Sequence, residues 1–286
     1  MRFLRTPHLH CFFVSLALLN GMQASLSAQG APSASTSFVS PAVEGNAGGE
    51  ADLPFVRSQR LGRSSHDYAR QIIVIGFVGG FVRGDDRRHP EVRFSEYLRD
   101  RYGPQAHANV FGNHHGAAAL REILRALDSD GNGTLSPDEK ARARIILYGH
   151  SWGGAEALLI ARELGDQGIP VLLTIQIDSI AKGRRDISTI PSNVAEAVNF
   201  YQSHGLLHGG EHIFAADPMR TTVIGNIRLT YHDHSVNCDN FRWYARLFSR
   251  THLEIENDPR VWNIAKRLVD SEFLRSSASG EEELSK

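Results

Sequence analysis

One segment constrains this chain more than any other: an apolar run, a serine between glycines, and an amphipathic stretch, RIILYGHSWGGAEALLIARELG. Its pattern predicts a buried strand over residues 144–148 and a helix over residues 153–164. The turn between them must be very tight, which requires glycine on both sides of Ser151. Gly149 and Gly153 meet that requirement. The segment therefore carries G-x-S-x-G between a strand and a helix, a context that lifts the serine hydroxyl clear of a sheet.

The region around this segment alternates short apolar runs with longer amphipathic stretches. The predicted strands cover residues 71–75, 144–148, 171–177 and 221–231, and the predicted helices cover residues 93–101, 117–127, 153–164 and 259–274. Strands that are apolar on both faces are typical of a sheet covered on both sides. The pattern thus predicts an α/β fold with a mostly parallel sheet and helices on both faces.

The two ends of the chain have a different composition from its centre. Residues 1–28 combine two arginines, an apolar run and small residues, which predicts a secretory signal peptide, with an uncleaved anchor as the alternative. Residues 29–60 are rich in Gly, Ala, Ser and Pro and predict a flexible linker, and the polar residues 276–286 predict a disordered tail. Residues 61–275 suffice for one domain. We therefore expect a single-domain protein that is secreted or periplasmic.

The charge balance excludes two classes of partner. The 286 residues include 31 basic and 32 acidic side chains, so the chain lacks the strong positive field that nucleic acids and anionic membranes select. The N-terminal apolar run is shorter than the ~20 residues that span a bilayer, so we expect no integral membrane segment after signal removal. Cys11 lies in the predicted signal, which would leave Cys238 unpaired.

The sequence GHSWGG resembles the nucleophile elbow of the α/β-hydrolase superfamily, in its lipase and esterase branches, and the resemblance covers about residues 70–270. It implies the α/β-hydrolase fold and cleavage of small-molecule or lipid carboxylic esters through an acyl-enzyme on Ser151, with no organic cofactor. It also implies two oxyanion donors. One is the backbone N–H of Trp152, and the other is that of Phe77, with Val78 as the alternative.

In this family the acid of the Ser-Asp-His triad follows the serine along the chain. Asp178 comes directly after the predicted strand 171–177 and is the first candidate. Asp217 and Asp233 are rivals in predicted loops. A capping role for Asp178 stays open, since Asp commonly caps helices and turns.

The histidine of the triad comes last. His252 is expected in a loop seven residues before Pro259, a proline that suits the first turn of a helix. This arrangement resembles the family's histidine before its last helix. His234 is the alternative base. His150, inside the elbow, is expected to pack behind the serine.

A second motif, DSDGNGTLSPDE, begins at Asp128 and matches the EF-hand calcium loop at every specified position. It lies in an expected EF-hand-like insertion over residues 117–143, before the serine strand. Gly133 permits the sharp turn of such a loop. The expected ligands are Asp128, Asp130, Asn132, Thr134 through its carbonyl, Ser136 directly or through water, and Glu139. A single loop of this kind favours a structural Ca²⁺ site, and a turn that binds nothing is the alternative.

Several functions share these residues. The same triad cleaves thioesters and amides, so a thioesterase or amidase stays open beside the esterase. A calcium-binding export protein on an inactive hydrolase scaffold is the alternative from another class. Residues 182–220 are long enough to form a cap over the site.

Overall fold

A computed structural model describes residues 71–239 and 241–284. The predicted signal peptide over residues 1–28 and the predicted linker over residues 29–60 lie outside the described residues.

The described residues form a six-stranded parallel sheet with the order β2-β1-β3-β4-β6-β8, and β5 and β7 pair separately. The strands are β1 (Ile72–Val78), β2 (Ala106–Gly112), β3 (Ile145–His150), β4 (Val171–Ile177), β5 (Thr189–Ile190), β6 (Val194–Tyr201), β7 (Phe214–Ala215) and β8 (Thr222–Arg228). The helices are α1 (Pro90–Tyr102), α2 (Gly116–Leu127), α3 (Pro137–Ala141), α4 (Trp152–Asp166), α5 (Trp243–Phe248), α6 (Arg250–Asn257) and α7 (Pro259–Leu284).

Helices cover both faces of the sheet, and each face has its own apolar core. On one face, side chains of α1 and α7 such as Phe94 and Trp262 pack against Tyr148 of β3. On the other face, α2 and α4 pack against Leu147 and neighbouring strand residues. Burial of this apolar surface is the main force that holds the layers together. The prediction of an α/β fold with a mostly parallel sheet and helices on both faces is confirmed.

Two strands of the sheet were not predicted from the sequence. In β2 every second residue is partly exposed, because this strand lies at the sheet edge. The other missed strand, β6, includes Glu196 and Asn199, which break the apolar pattern expected of a central strand. Since β6 pairs with β4 and β8, residues 182–220 contribute to the main sheet and do not form a separate cap.

Two further expectations fail in the C-terminal part of the chain. His252 lies within helix α6, not in a loop. Helix α7 continues to Leu284, so no disordered tail begins at residue 276; glutamates 281–283 are good helix formers. Among the described residues, no helix combines the length and the apolar character needed to cross a membrane.

Candidate active site

Ser151 occupies the turn between β3 and α4. Its backbone has φ 58° and ψ −126°, in a region that residues other than glycine rarely adopt. Such a conformation costs about 1–3 kcal/mol and persists only where surrounding contacts impose it. Ser151 N–H donates to the carbonyl of Ile177 at 3.0 Å, and Ser151 carbonyl accepts from Ile180 N–H at 3.1 Å. These bonds hold the turn against the end of β4.

The glycines beside Ser151 allow the backbones to approach closely. A Cβ atom on Gly149 would lie 2.4 Å from the carbonyl carbon of Gly153, and one on Gly153 would lie 2.1 Å from the carbonyl oxygen of Phe77. Neither position has space for a side chain, so α4 can begin immediately against the sheet. This agrees with the steric requirement that the sequence motif indicated.

Asp178 lies directly after β4 and is fully buried. Its Oδ2 is 2.6 Å from Nδ1 of His252 and accepts from Nε2 of Gln202 at 3.0 Å, while its Oδ1 accepts from Gly209 N–H at 2.8 Å. Burial alone would raise the pKa of Asp178, but the hydrogen bond and charge of His252, with the other two donors, outweigh it and lower the pKa. The carboxylate is therefore ionised and fully partnered.

Asp178 also has a positive φ, of 42°. Among the described residues, Ser151 and Asp178 are the only two non-glycine residues with positive φ. Backbone strain of this kind concentrates at functional sites. The two strained residues lie at the carboxyl ends of the adjacent strands β3 and β4, which is where open α/β sheets bind ligands.

His252 reaches this edge of the sheet from helix α6 and is 4% exposed. An ionised carboxylate only accepts hydrogen bonds, so Nδ1 of His252 carries the proton that Asp178 receives. In a neutral ring, Nε2 would then be able to accept a proton. The ring of His252 lies 4.3 Å from the ring of His150, the residue before Ser151. The arrangement thus brings a hydroxyl, an imidazole and a buried carboxylate to one part of the molecule.

The rival acids and the rival base are not part of this arrangement. Asp217 accepts from the Met219 N–H in a turn before β8. Asp233 and His234 are exposed in the segment after β8. The carboxylate bound to His252 is that of Asp178, as the sequence analysis preferred.

The two expected oxyanion donors lie in different settings. Trp152 is the first residue of α4, where N–H groups have no acceptor within the helix. Phe77 and Val78 both lie inside β1. Ile73 N–H donates to the Arg144 carbonyl, next to β3. Because successive backbone N–H groups of a strand point to opposite sides, the Phe77 N–H points to β3 and the Val78 N–H points to β2. Both amides therefore belong to the sheet.

Gly79 is the first residue after β1. A Cβ atom there would lie 2.8 Å from Cβ and 3.5 Å from Oγ of Ser151. The backbone of this turn consequently passes beside the Ser151 hydroxyl. Because the amides of Phe77 and Val78 point to the neighbouring strands, the Gly79 amide is the better candidate for the second oxyanion donor. The Gly-rich turn was noted in the sequence, but its register against β3 depends on the fold.

Two aromatic side chains lie next to the elbow. The ring of Phe81 meets that of Trp152 edge-on at 5.7 Å, and Phe81 is 63% exposed. An exposed apolar ring beside Ser151 offers a surface to an apolar substrate group.

The imidazole of His150 is buried behind Ser151, as expected. Burial, reinforced by the neighbouring His252, lowers the pKa of His150 to about 4, so this ring is neutral near pH 7. Its Nε2 lies 3.1 Å from the backbone oxygen of His252. Burial likewise raises the pKa of the nearby Glu91 carboxyl to about 8, and the charge of Glu256 adds to that rise.

The acidic loop lies between α2 and the short helix α3. Asp128, Asp130 and Glu139 each have an oxygen within 4.8 Å of the others. Asp128 accepts from the N–H groups of Asn132 at 3.1 Å and Gly133 at 2.9 Å, so the loop curls around this carboxylate. Gly133 has φ 83°, the left-handed conformation that favours glycine.

The remaining predicted loop residues line the same turn. Glu139 accepts from the Ser136 N–H at 2.9 Å and the Ser129 N–H at 2.7 Å, and these donors lower its pKa to about 2. Thr134 N–H donates to Oδ1 of Asn132 at 2.8 Å. Ser136 caps α3. The carboxylates of the loop are oxygen ligands of the kind that Ca²⁺ prefers.

Two residues that hold Asp178 were not found from the sequence. Gln202 follows β6, and Gly209 lies in the loop beyond it. No motif marks either residue, because their role depends on β6 pairing with β4.

The chain matches no known family model and no curated protein.

Proposed function

We propose that this protein is an exported serine hydrolase of the α/β-hydrolase type that cleaves carboxylic esters, with Ser151 as nucleophile, His252 as base and Asp178 as the acid. The observation that carries the proposal is the 2.6 Å contact between His252 Nδ1 and the buried Asp178 carboxylate, beside the strained Ser151 turn. Export is part of the proposal through the signal-like residues 1–28.

The chemistry follows from where the protons lie. Nε2 of His252 would take the proton of Ser151 Oγ as the hydroxyl attacks the ester carbonyl, and would then give it to the leaving alcohol. Asp178 would keep Nδ1 protonated and stabilise the imidazolium. The N–H groups of Trp152 and Gly79 would donate to the developing oxyanion. Water would then release the acyl group from Ser151 by the same proton transfers.

An experiment must identify the bond that is cleaved, since thioesters and amides react through the same triad as esters. The test measures hydrolysis of p-nitrophenyl esters of short and long acyl chains, a thioester and an anilide by the chain without residues 1–28. The exposed Phe81 beside Trp152 favours apolar acyl groups. We expect ester turnover to be fastest, and turnover of none of these substrates would contradict the proposal.

Replacing the acid tests its role. Asp178→Asn should lower kcat by about 10⁴-fold, because an amide NH₂ facing His252 favours the wrong imidazole tautomer. Asn tolerates positive φ, so the turn is retained. The matched control, Asp217→Asn, should keep kcat within about twofold, since surface changes away from a site have small effects. An Asp217→Asn variant as inactive as Asp178→Asn would refute the assignment.

We further propose that the loop from Asp128 to Glu139 binds Ca²⁺ as an EF-hand-like structural site within residues 117–143. Calcium would neutralise the clustered carboxylates and fix the connection between α2 and β3, the strand that leads to Ser151. The ligands would be Asp128, Asp130, Asn132, Thr134, Ser136 and Glu139.

The calcium site predicts a shift in melting temperature. Calcium at about 100 times its Kd should raise Tm by about 5–10 °C, since binding to the folded state alone contributes about 2.7 kcal/mol. Asp128→Asn should abolish the rise. Asp138→Asn removes an equal charge from an exposed position outside the ligand set and should retain it. Equal calcium responses in all three proteins, by differential scanning fluorimetry, would exclude this site.

A further inference from the structure

Four side chains of types that can bind metals are buried together behind the candidate active site. They come from separate parts of the chain: His89 precedes α1, Glu91 lies in its first turn, His150 ends β3, and Glu256 lies on α6. None is more than 8% exposed. The proposed hydrolysis uses none of these four side chains as a reacting group.

Their ligand atoms face one another. Nδ1 of His150 lies 3.7 Å from Oε2 of Glu256 and 3.9 Å from Oε1 of Glu91, and Nδ1 of His89 lies 2.5 Å from Oε1 of Glu256. Ligand atoms of His89, Glu91 and Glu256 all lie within 4.8 Å of one another. Tetrahedral ligands about 2.0–2.2 Å from a zinc ion are separated by about 3.3–3.6 Å. Small side-chain shifts would therefore bring one atom from each residue to such a distance.

The Glu91 side chain lacks a hydrogen-bond partner in the described part of the chain. Among the described residues, neither carboxylate oxygen of Glu91 has a hydrogen-bond partner, although the side chain is fully buried. Buried carboxylates are normally hydrogen-bonded, paired with a cation or bound to a metal. This unpartnered group points toward His150 Nδ1 and is an observation independent of the clustering itself.

The tautomer of His150 indicates the same ligand. A carbonyl oxygen only accepts, so Nε2 of His150 must carry the proton that it donates to the His252 carbonyl at 3.1 Å. In the neutral ring, Nδ1 then presents a lone pair to the carboxyl groups of Glu91 and Glu256. Histidines that bind metals commonly donate their other N–H to a backbone carbonyl in this way.

We infer that His89, Glu91, His150 and Glu256 bind one zinc ion. Two carboxylates balance the charge of Zn²⁺, and a set of two imidazoles and two carboxylates suits zinc better than calcium, which prefers oxygen ligands. Four protein ligands would close the coordination sphere, as in structural sites. The ion would join β3, immediately before Ser151, to α6, where Glu256 lies one turn beyond His252.

The test measures metal content in the folded chain without residues 1–28. The protein is first incubated with Zn²⁺. It is then gel-filtered in a buffer that contains calcium and a lower concentration of EGTA. Mass spectrometry of the metals should then find about one zinc per chain. A strong zinc chelator should remove it and lower Tm. Glu91→Gln should retain less than about a tenth of the zinc. Glu254→Gln changes a buried glutamate on the same helix that pairs with Arg250, and it should retain the full amount.

Direct spectroscopy keeps the test decisive if Glu91→Gln fails to fold. Co²⁺ in place of zinc should give the strong visible absorption of a tetrahedral site in the unmutated chain, and His89→Gln should lose it. Absence of both bound zinc and this absorption, or a full zinc content in folded Glu91→Gln, would overturn the inference. Equal zinc loss in Glu254→Gln would do so as well. These readouts do not depend on ester hydrolysis. The zinc site can therefore be refuted while the proposed hydrolase activity stands, and the activity can be refuted while the zinc site stands.

Discussion

Ser151→Ala should lower kcat for ester hydrolysis by about 10⁶-fold, leaving only the residual rate enhancement from the oxyanion donors and substrate binding. The variant lacks the oxygen that forms the acyl-enzyme. Alanine keeps the Cβ that contacts the turn at Gly79, and the backbone bonds to Ile177 and Ile180 do not involve the hydroxyl. We therefore expect the fold and Tm to be retained.

The measurement is p-nitrophenyl ester turnover, with circular dichroism and Tm recorded on the same samples. Ser179→Ala is the matched control, because Ser179 is equally buried and follows Asp178. It should keep kcat within about tenfold, as a change in packing alone. If Ser151→Ala retained more than a hundredth of the turnover, Ser151 would not be the nucleophile.

His252→Gln should have an effect nearly as large, about 10⁵- to 10⁶-fold on kcat, because serine remains protonated without a base. Glutamine can still donate to Asp178, and Gln202 and Gly209 continue to do so, so the buried carboxylate keeps partners. The variant should fold, with Tm lowered by a few degrees.

His234→Gln is the control for the base, because His234 was the rival in the sequence and is exposed. Its kcat should stay within about twofold of the unmutated protein, as for most surface changes. Loss of turnover in His234→Gln together with retained turnover in His252→Gln would show that the base is misassigned. Both proteins are compared at several ester concentrations, so that kcat separates from KM.

Local sequence was sufficient for the elements around the elbow. The predicted strand 171–177 coincides with β4, and the predicted strand and helix around Ser151 differ from β3 and α4 by only a few residues. Apolar runs of this length and glycines at fixed spacing determine local backbone geometry with little help from distant residues. Asp178 was found for the same reason, since it directly follows an unmistakable strand.

Other features depended on distant contacts. β6 carries polar residues and becomes a strand because β4 and β8 pair with it on both sides. The fold places the Gly79 backbone closer to the hydroxyl than the sequence indicated, since the amides of Phe77 and Val78 belong to the ladder. Hydrogen-bond register is a property of paired strands, and a single strand's sequence does not contain it.

By itself, the sequence determined the α/β class, the strained serine turn and the acidic loop, because each depends on residues close together in the chain. Only the tertiary structure decided which histidine meets Asp178, 74 residues away, and that His89, Glu91 and Glu256 gather with His150. The physical reason is that these meetings depend on strand order and on how α1 and α6 pack against the sheet. Such contacts are long-range, and local propensity does not encode them.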